Sequence, residues 1–566
     1  MAQVDLLIKN ALVYNSVLRD FIPQAVTVLD GKFYWLTSDY SEVQAQETLD
    51  LAGKYLVPGL VDSHMHIESS MTTPENFGRA VAPWGTTTVV ADAHEVANVA
   101  GLAGLEAFMK QPAPIDIFYA IPSSVPATNP DLETTGGTIG VPEVQALLQN
   151  PQVICLGEAM NFQGITSETQ SLIRQIIASC RKIRPTMPLE GHCPRYQGLD
   201  LARFIFSGIT SDHTQQTAAS VVEKVLNGMF VQLQRKSITP EVIQAVQKHQ
   251  LEEHIALVTD DVLPDDLTHG HLNALVQLAI QCGLDPKMAI YLATYTPARR
   301  MGLWDRGSIT PGRQADFIVL DDYQKFQIAA VYKNGQLVPD ETAWEKSQTN
   351  FLPELEQSVH ARKLTTTDLE LQVPQEGGTV KTNVIAINEQ GTFTERSQRS
   401  LKVINHQVQW KESGLALLLV QERYGKSQRL AYGLVANSLT QPGAVGATWA
   451  HDHHNIMILG TDSQSILAIQ HQLIAQQGGY LVAQQGKITA NAPLPLGGII
   501  SPAPMPVLSR QIQQVRQKMR ELGYRNPNEI MSFSTLSLLV SPALKISDRG
   551  LFDVPSQTPV PLFESD

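Results

Sequence analysis

The chain has 566 residues, 43% of them hydrophobic and 17% charged, an ordinary globular composition that excludes wholesale disorder. At about 150 residues per domain it asks for three or four structural units, since a single core rarely grows past about 250 to 300 residues. The 42 Lys and Arg against 55 Asp and Glu leave a net charge of −13. With no Lys/Arg run to form a basic patch, this charge excludes a nucleic-acid polymer or an anionic membrane as partner.

The N-terminus, MAQVDLLIKNALVYN, interrupts its apolar residues with Asp5 and Lys9, unlike a secretory signal. No apolar run approaches the roughly 18 residues of a membrane span. Cys155, Cys180, Cys193 and Cys282 show no CxxC spacing, so a reducing cytoplasm is the simplest compartment.

In chain order, residues 5–16 and 25–36 alternate or run apolar around Asp30-Gly31 and read as short antiparallel strands. The pattern returns at 316–321 (DFIVLD) and 329–338 (AAVYKNGQLV), where Asn334-Gly335 signals a two-residue hairpin. Between these pieces short apolar runs alternate with longer helical patterns. The runs are YLVPGLVDSHMH (55–66), VVAD (89–92), IDIFYAI (115–121), VICLGEA (153–159), PLEGH (188–192), ITSDH (209–213) and IALVTDD (255–261). That alternation predicts an α/β chain with a parallel sheet closed into a (β/α)8 TIM-like barrel. Further on, LALLLV (415–420) reads as a strand, and 463–477 and 508–522 as helices. The predicted organisation is a small β-sandwich from residues 1–56 plus 305–345, a barrel over 57–304, a linker or edge segment over 346–378, and an α+β C-terminal domain over 379–566. No internal repeat is evident.

Polar residues end the barrel runs: His64 and His66, Glu158, His192, His213 and Asp260. Active sites of such barrels form where these strand ends converge. The i, i+2 spacing of HxH on a strand puts both imidazoles on one face, able to share a cation. The set predicts two adjacent metal sites bridged by Glu158. Taken singly each residue has a plainer reading: HxH as a hydrogen-bonded pair, Glu158 as a satisfied buried carboxylate, Asp260 and Asp261 as helix caps.

Here the chain resembles the amidohydrolase superfamily, and within it the adenine deaminases. The resemblance rests on PGLVDSHMHIESSMTTPENF (58–77), GTTTVVADAHEVANVAG (85–101), GEAMNF (157–162), GHCPRYQGLDL (191–201), GITSDH (208–213), TDDVLPDDL (259–267) and GSITPGRQADFIVLD (307–321). It extends through AHDHHNI (450–456), GGYLV (478–482), PLPLGGIIS (493–501) and SDRGLFDV (547–554), which are particular to adenine deaminases. Two positions depart from the family pattern: Thr214, where Glu usually follows Asp-His, and His453, where Ser is common.

The resemblance implies hydrolysis of adenine to hypoxanthine and ammonia, by hydroxide held at a binuclear divalent centre. Mn(II) or Fe(II) is favoured, and Zn(II) also suits an imidazole and carboxylate set. Asp260 is the expected proton carrier, with Asp261 and Asp92 as further acids. Many superfamily members bridge the metals with a carboxylated Lys on strand four, whereas here GEAM supplies Glu158. Glu68, His94, Glu95, His451, His453 and His454 are expected around the metals or the substrate, the last three on a C-terminal loop that either lies exposed or closes the barrel mouth. Adenine and water are the implied partners, and homo-oligomerisation is left open. Two other readings stand beside this one: a cyclic amidohydrolase or deaminase acting on another base, and a non-catalytic scaffold, which missing metal ligands would signal.

Overall fold

The structure, a computed structural model, describes residues 2–339 and 351–564. The parts of the sandwich and linker expectations that fall on 340–350 lie outside the described residues. Among those described, both flanks of the barrel join in one eight-stranded sheet. Its order is Gln336–Leu337, Gln327–Lys333, Phe317–Asp322, Tyr55–Pro58, Ala2–Asn15, Asp20–Leu29 and Lys32–Thr37, with Val43–Asp50 also pairing on Ala2–Asn15. Asp30-Gly31 and Asn334-Gly335 turn its hairpins with positive φ at both residues (51° and 71°, 52° and 79°). Such turns match the twist of the strands they connect.

Eight strands form the barrel: Leu60–His66, Thr86–Ala91, Asp116–Ile121, Val153–Ala159, Leu189–Gly191, Ser211–Asp212, Phe230–Leu233 and Ile255–Leu257. They pair in two parallel arcs, first to fifth and sixth to eighth. Asp260–Asp261 closes the ring by pairing in parallel with Met65 and His66, and Thr210 N–H donates to the Leu189 carbonyl at 3.1 Å across the other seam. The seventh strand, Phe230–Leu233, was not among the expected runs. It is four residues long and interrupted by buried Gln232, too short and too polar to stand out.

The C-terminal residues build a nine-stranded sheet, again counting described residues. Ala416, Leu418 and Val420 face a core shared with helix Met505–Glu521, while Leu417 and Leu419 face helix Ser463–Ala475. Covered on both faces, the strand needs apolar residues at every position, hence the unbroken LALLLV. Residues 351–376, expected as linker, are packed: Leu355 joins the first core, and Val359, Leu364, Leu369, Leu371 and Val373 join the second. These anchors are spaced irregularly among charged and Thr residues, so no period reveals them.

The first of those cores is continuous with the barrel's own, which seats the C-terminal sheet over the strand ends. Trp449 Nε1 donates to the Glu68 carbonyl at 3.2 Å, Ser501 N–H to the Met71 carbonyl at 2.8 Å, and Arg516 pairs with both Asp265 (2.8 Å) and Glu529 (3.0 Å). Among the described residues no helix is long and apolar enough to cross a membrane.

Candidate active site

His64 and His66 end the first barrel strand on one face. His66 Nδ1 donates to the Asp92 carbonyl at 2.9 Å, which keeps its proton on that nitrogen and leaves Nε2 facing inward. Asp260 Oδ1 stands 3.6 Å from His64 Nε2 and 3.5 Å from His66 Nε2. Glu158 divides its oxygens: Oε1 is 3.5 Å from His66 Nε2, while Oε2 is 2.8 Å from His192 Nδ1 and 3.1 Å from His213 Nε2. Three overlapping triads each bring their ligand atoms within 4.8 Å: His64, His66 and Asp260; His64, Glu158 and His213; His66, His94 and Glu158. Burial by itself would raise the Glu158 and Asp260 carboxyls, but the imidazoles facing them outweigh it and hold both well below the usual carboxylate range. Both are carboxylates at neutral pH.

The surrounding residues hold this arrangement. Asp92 Oδ2 accepts the Glu158 N–H at 2.8 Å, and a Cβ on Gly157 would stand 2.2 Å from that oxygen, so only glycine fits before Glu158. The Ser123 and Ser124 hydroxyls donate to the Glu158 carbonyl at 2.7 and 3.3 Å. Gln234, just past the seventh strand, donates from Nε2 to Asp260 Oδ2 at 2.8 Å and to the His213 carbonyl at 3.2 Å. Sequence reasoning misses Ser123, Ser124 and Gln234, because uncharged residues outside a ligand pattern carry no signal. The wide gap between His213 and Asp260 was the one hint of an extra strand.

Thr214 is turned to Asp212: its Oγ1 donates to Asp212 Oδ2 at 2.9 Å, an oxygen that also takes Lys224 Nζ at 2.6 Å. Asp212 and Lys224 are both buried. Lys224→Met would strand the carboxylate, and denaturant titration should show a loss of about 3 to 5 kcal/mol.

The C-terminal loop is not exposed: His451, Asp452, His453 and His454 are all buried. His451 Nε2 lies 2.9 Å from Glu95 Oε1 and its Nδ1 2.7 Å from Ser534 Oγ, while His454 Nε2 is 3.7 Å from Glu95 Oε2. Burial would lower the His451 imidazole, but the Glu95 carboxylate overrides it and pushes it up to about 9, making the two a cation and an anion. Asp261 belongs to this second group, within 4.8 Å of Glu95 and His451, and its Oδ1 accepts the Ser69 hydroxyl at 2.5 Å. The two neighbours therefore divide, Asp260 toward the histidines and Asp261 toward the C-terminal loop. Glu68 Oε1 accepts the Val96 N–H at 3.3 Å; burial, then the Glu95 charge, pushes its carboxyl up to about 7. His94 Nδ1 is 3.8 Å from Asp92 Oδ1.

His453 is not brought to either group. Its Nδ1 accepts the Asn455 N–H at 3.1 Å and its carbonyl the Tyr424 hydroxyl at 2.7 Å, both within the C-terminal domain. Burial, then the Arg423 cation, holds the imidazole down at about 3, against an ordinary 6.5. The unfolded chain binds a proton in this window that the folded chain refuses, so stability present above pH 6.5 is lost as pH falls toward 3. In thermal melts taken from about pH 7 to about pH 4, His453→Ser should gain on wild type steadily as pH falls.

Residues 55–338 match the amidohydrolase family and residues 391–558 the adenine deaminase C-terminal domain. An adenine deaminase of Lactobacillus delbrueckii subsp. bulgaricus is 55% identical over 100% of both chains. The chain belongs to the adenine deaminase family of amidohydrolases. An adenine deaminase of Clostridium perfringens is 45% identical over 99% of this chain and 100% of its own. A solved β-aspartyl dipeptidase of Fervidobacterium islandicum AW-1 aligns with 61% of this chain and 99% of its own, at 18% identity and a TM-score of 0.46.

Membership of the amidohydrolase family implies a divalent metal, and the strand-end cluster fits one. His64 Nε2 is buried without a hydrogen-bond partner among the described residues, as a nitrogen aimed at a cation would be. Its neighbours are ionised carboxylates and imidazoles, a donor set suited to first-row divalent ions.

Proposed function

We propose that the chain hydrolyses adenine to hypoxanthine and ammonia at a binuclear centre held by His64, His66, Glu158, His192, His213 and Asp260. The observation that carries this reading is Glu158, whose two oxygens face two separate imidazole groups in a chain of the adenine deaminase family. Mn(II) or Fe(II) suits the donors best, and Zn(II) also fits. Bound there, two cations supply Lewis acidity and bring the pKa of water toward neutrality.

The side chains carry the protons. Asp260, with Oδ1 toward His64 and His66, accepts a proton from the attacking water and passes it to the departing amine. Asp261, exposed at the site's edge, and Asp92, whose Oδ1 has no hydrogen-bond partner among the described residues, are the groups for ring nitrogen N1. A bond forms from the water oxygen to C6 and the C6–N6 bond breaks. Of the two water protons, one ends on N1 and the other leaves in ammonia. Glu68, His94 and Glu95 wall the site, and the loop carrying His451 and His454 covers it and excludes bulk water. With all four cysteines free, a reducing cytoplasm is the compartment we assign.

The test is ammonia release by protein loaded with Mn(II) or Fe(II), offered adenine, cytosine, guanine and dihydroorotate in parallel. Adenine is expected to be the substrate turned over; no ammonia from adenine under either metal would sink the proposal.

A further inference from the structure

The seventh barrel strand ends without a histidine or carboxylate, yet the residue after it touches both neighbouring strand ends. Gln234 Nε2 donates across to Asp260 Oδ2 of the eighth strand end and back to the His213 carbonyl of the sixth, at 2.8 and 3.2 Å. We propose that Gln234 is a positioning residue that clamps Asp260 against the His213 strand end and so sets the metal-facing oxygen of Asp260. The proposal rests on reading Asp260 and His213 as metal ligands.

Three observations carry it. Both partners, a carbonyl and an ionised carboxylate, only accept, so the amide nitrogen alone can face them, and its two hydrogens match the two acceptors. Gln234 fixes Oδ2, and with that oxygen fixed Oδ1 stays turned toward His64 and His66, at 3.6 and 3.5 Å. Asp260 also has φ of 60°, a left-handed conformation uncommon outside glycine though open to Asp, and its neighbours hold it there. Gln234 is one of those holds, and the pairing of Asp260 with Met65 is another.

The same strand end stitches the loop after His213 a second time. Ser237 Oγ accepts the Gln216 N–H at 2.9 Å and donates to the Thr214 carbonyl at 3.4 Å. Gln234 is thus part of a seam between the loops of strands six, seven and eight. It reaches the reaction only through Asp260 and His213.

The experiment compares Gln234→Glu and Gln234→Met with wild type, as full chains. Glutamate keeps the shape but sets an acceptor against two acceptors, whereas methionine keeps the length and removes the donor. Titrating metal-free protein with Mn(II) in a calorimeter should show affinity about 10- to 100-fold weaker in Gln234→Glu, with a smaller loss in Gln234→Met. For adenine, kcat should fall in the same order while KM stays within about twofold of wild type. Wild-type Mn(II) affinity in Gln234→Glu would overturn the clamp, and so would equal losses in the two variants, which would mean that the side chain only fills space. Circular dichroism checks folding; were the Glu variant unfolded, unchanged Mn(II) affinity in Gln234→Met would overturn it instead. The Mn(II) titration contains no adenine, so failure of the clamp and failure of the adenine reading remain separate results.

Discussion

Glu158→Gln is expected to stop ammonia release from adenine, with kcat down on the order of a thousandfold or more, as for groups that work as one unit. The reason is the division of the two carboxylate oxygens. Oε2 meets His192 and His213 at 2.8 and 3.1 Å, and Oε1 meets His66 at 3.5 Å. Glutamine is nearly the same size, but it carries no charge and presents one donor in place of an acceptor. One of the two groups must then face an N–H where a cation ligand is needed. Bound metal, counted by elemental analysis, should fall below the wild-type ratio in the same preparation. The fold should persist, because the backbone contacts of residue 158, the Asp92 and Ser123 hydrogen bonds, are untouched. Turnover within tenfold of wild type would remove Glu158 from the role assigned to it.

Asp260→Asn tests proton movement with a smaller change. Asparagine can still offer its oxygen to Gln234, so the clamp at 2.8 Å has a partner, but the group cannot accept and return a proton. A positioned acid or base contributes about 10²- to 10⁴-fold, and kcat for adenine should fall within that range while KM changes little. The histidines facing Asp260 Oδ1 at 3.5 to 3.6 Å lose a charged neighbour, so Mn(II) affinity should weaken as well. If kcat survives with the metal bound, the proton travels by another group, and Asp261, exposed at the site's edge, is the next to replace. Asp92→Asn then separates support from chemistry, because Asp92 also accepts the Glu158 N–H.

Much of the strand-end cluster is legible in the sequence. A TIM-like barrel puts its chemistry at strand ends, so polar residues closing apolar runs, in barrel order, pointed to His64, His66, Glu158, His192, His213 and Asp260; five of these side chains cluster, and His192 joins them through Glu158 at 2.8 Å. The hairpins at Asp30-Gly31 and Asn334-Gly335 were equally plain, because two consecutive positive φ values call for such residues. The C-terminal loop was legible as a motif but not as a set of directions. His451 and His454 reach Glu95, while His453, between them, binds within its own domain. A one-residue step along a loop reverses where a side chain points, and residue type does not say which way.

The sequence by itself determined the chemistry on offer: which donors exist, their order around the barrel, and the turns that local backbone preference dictates. Tertiary structure decided which donors meet. The ion pair of Glu95 with His451 joins residues 356 apart in the chain, and no local pattern encodes a contact that the seating of one domain on another creates. It set Asp260 apart from Asp261, the one carboxylate lying against His64 and its neighbour accepting the Ser69 hydroxyl. It also gave Gln234 its place, because a neutral amide gains a role only from the two acceptors that folding brings to it.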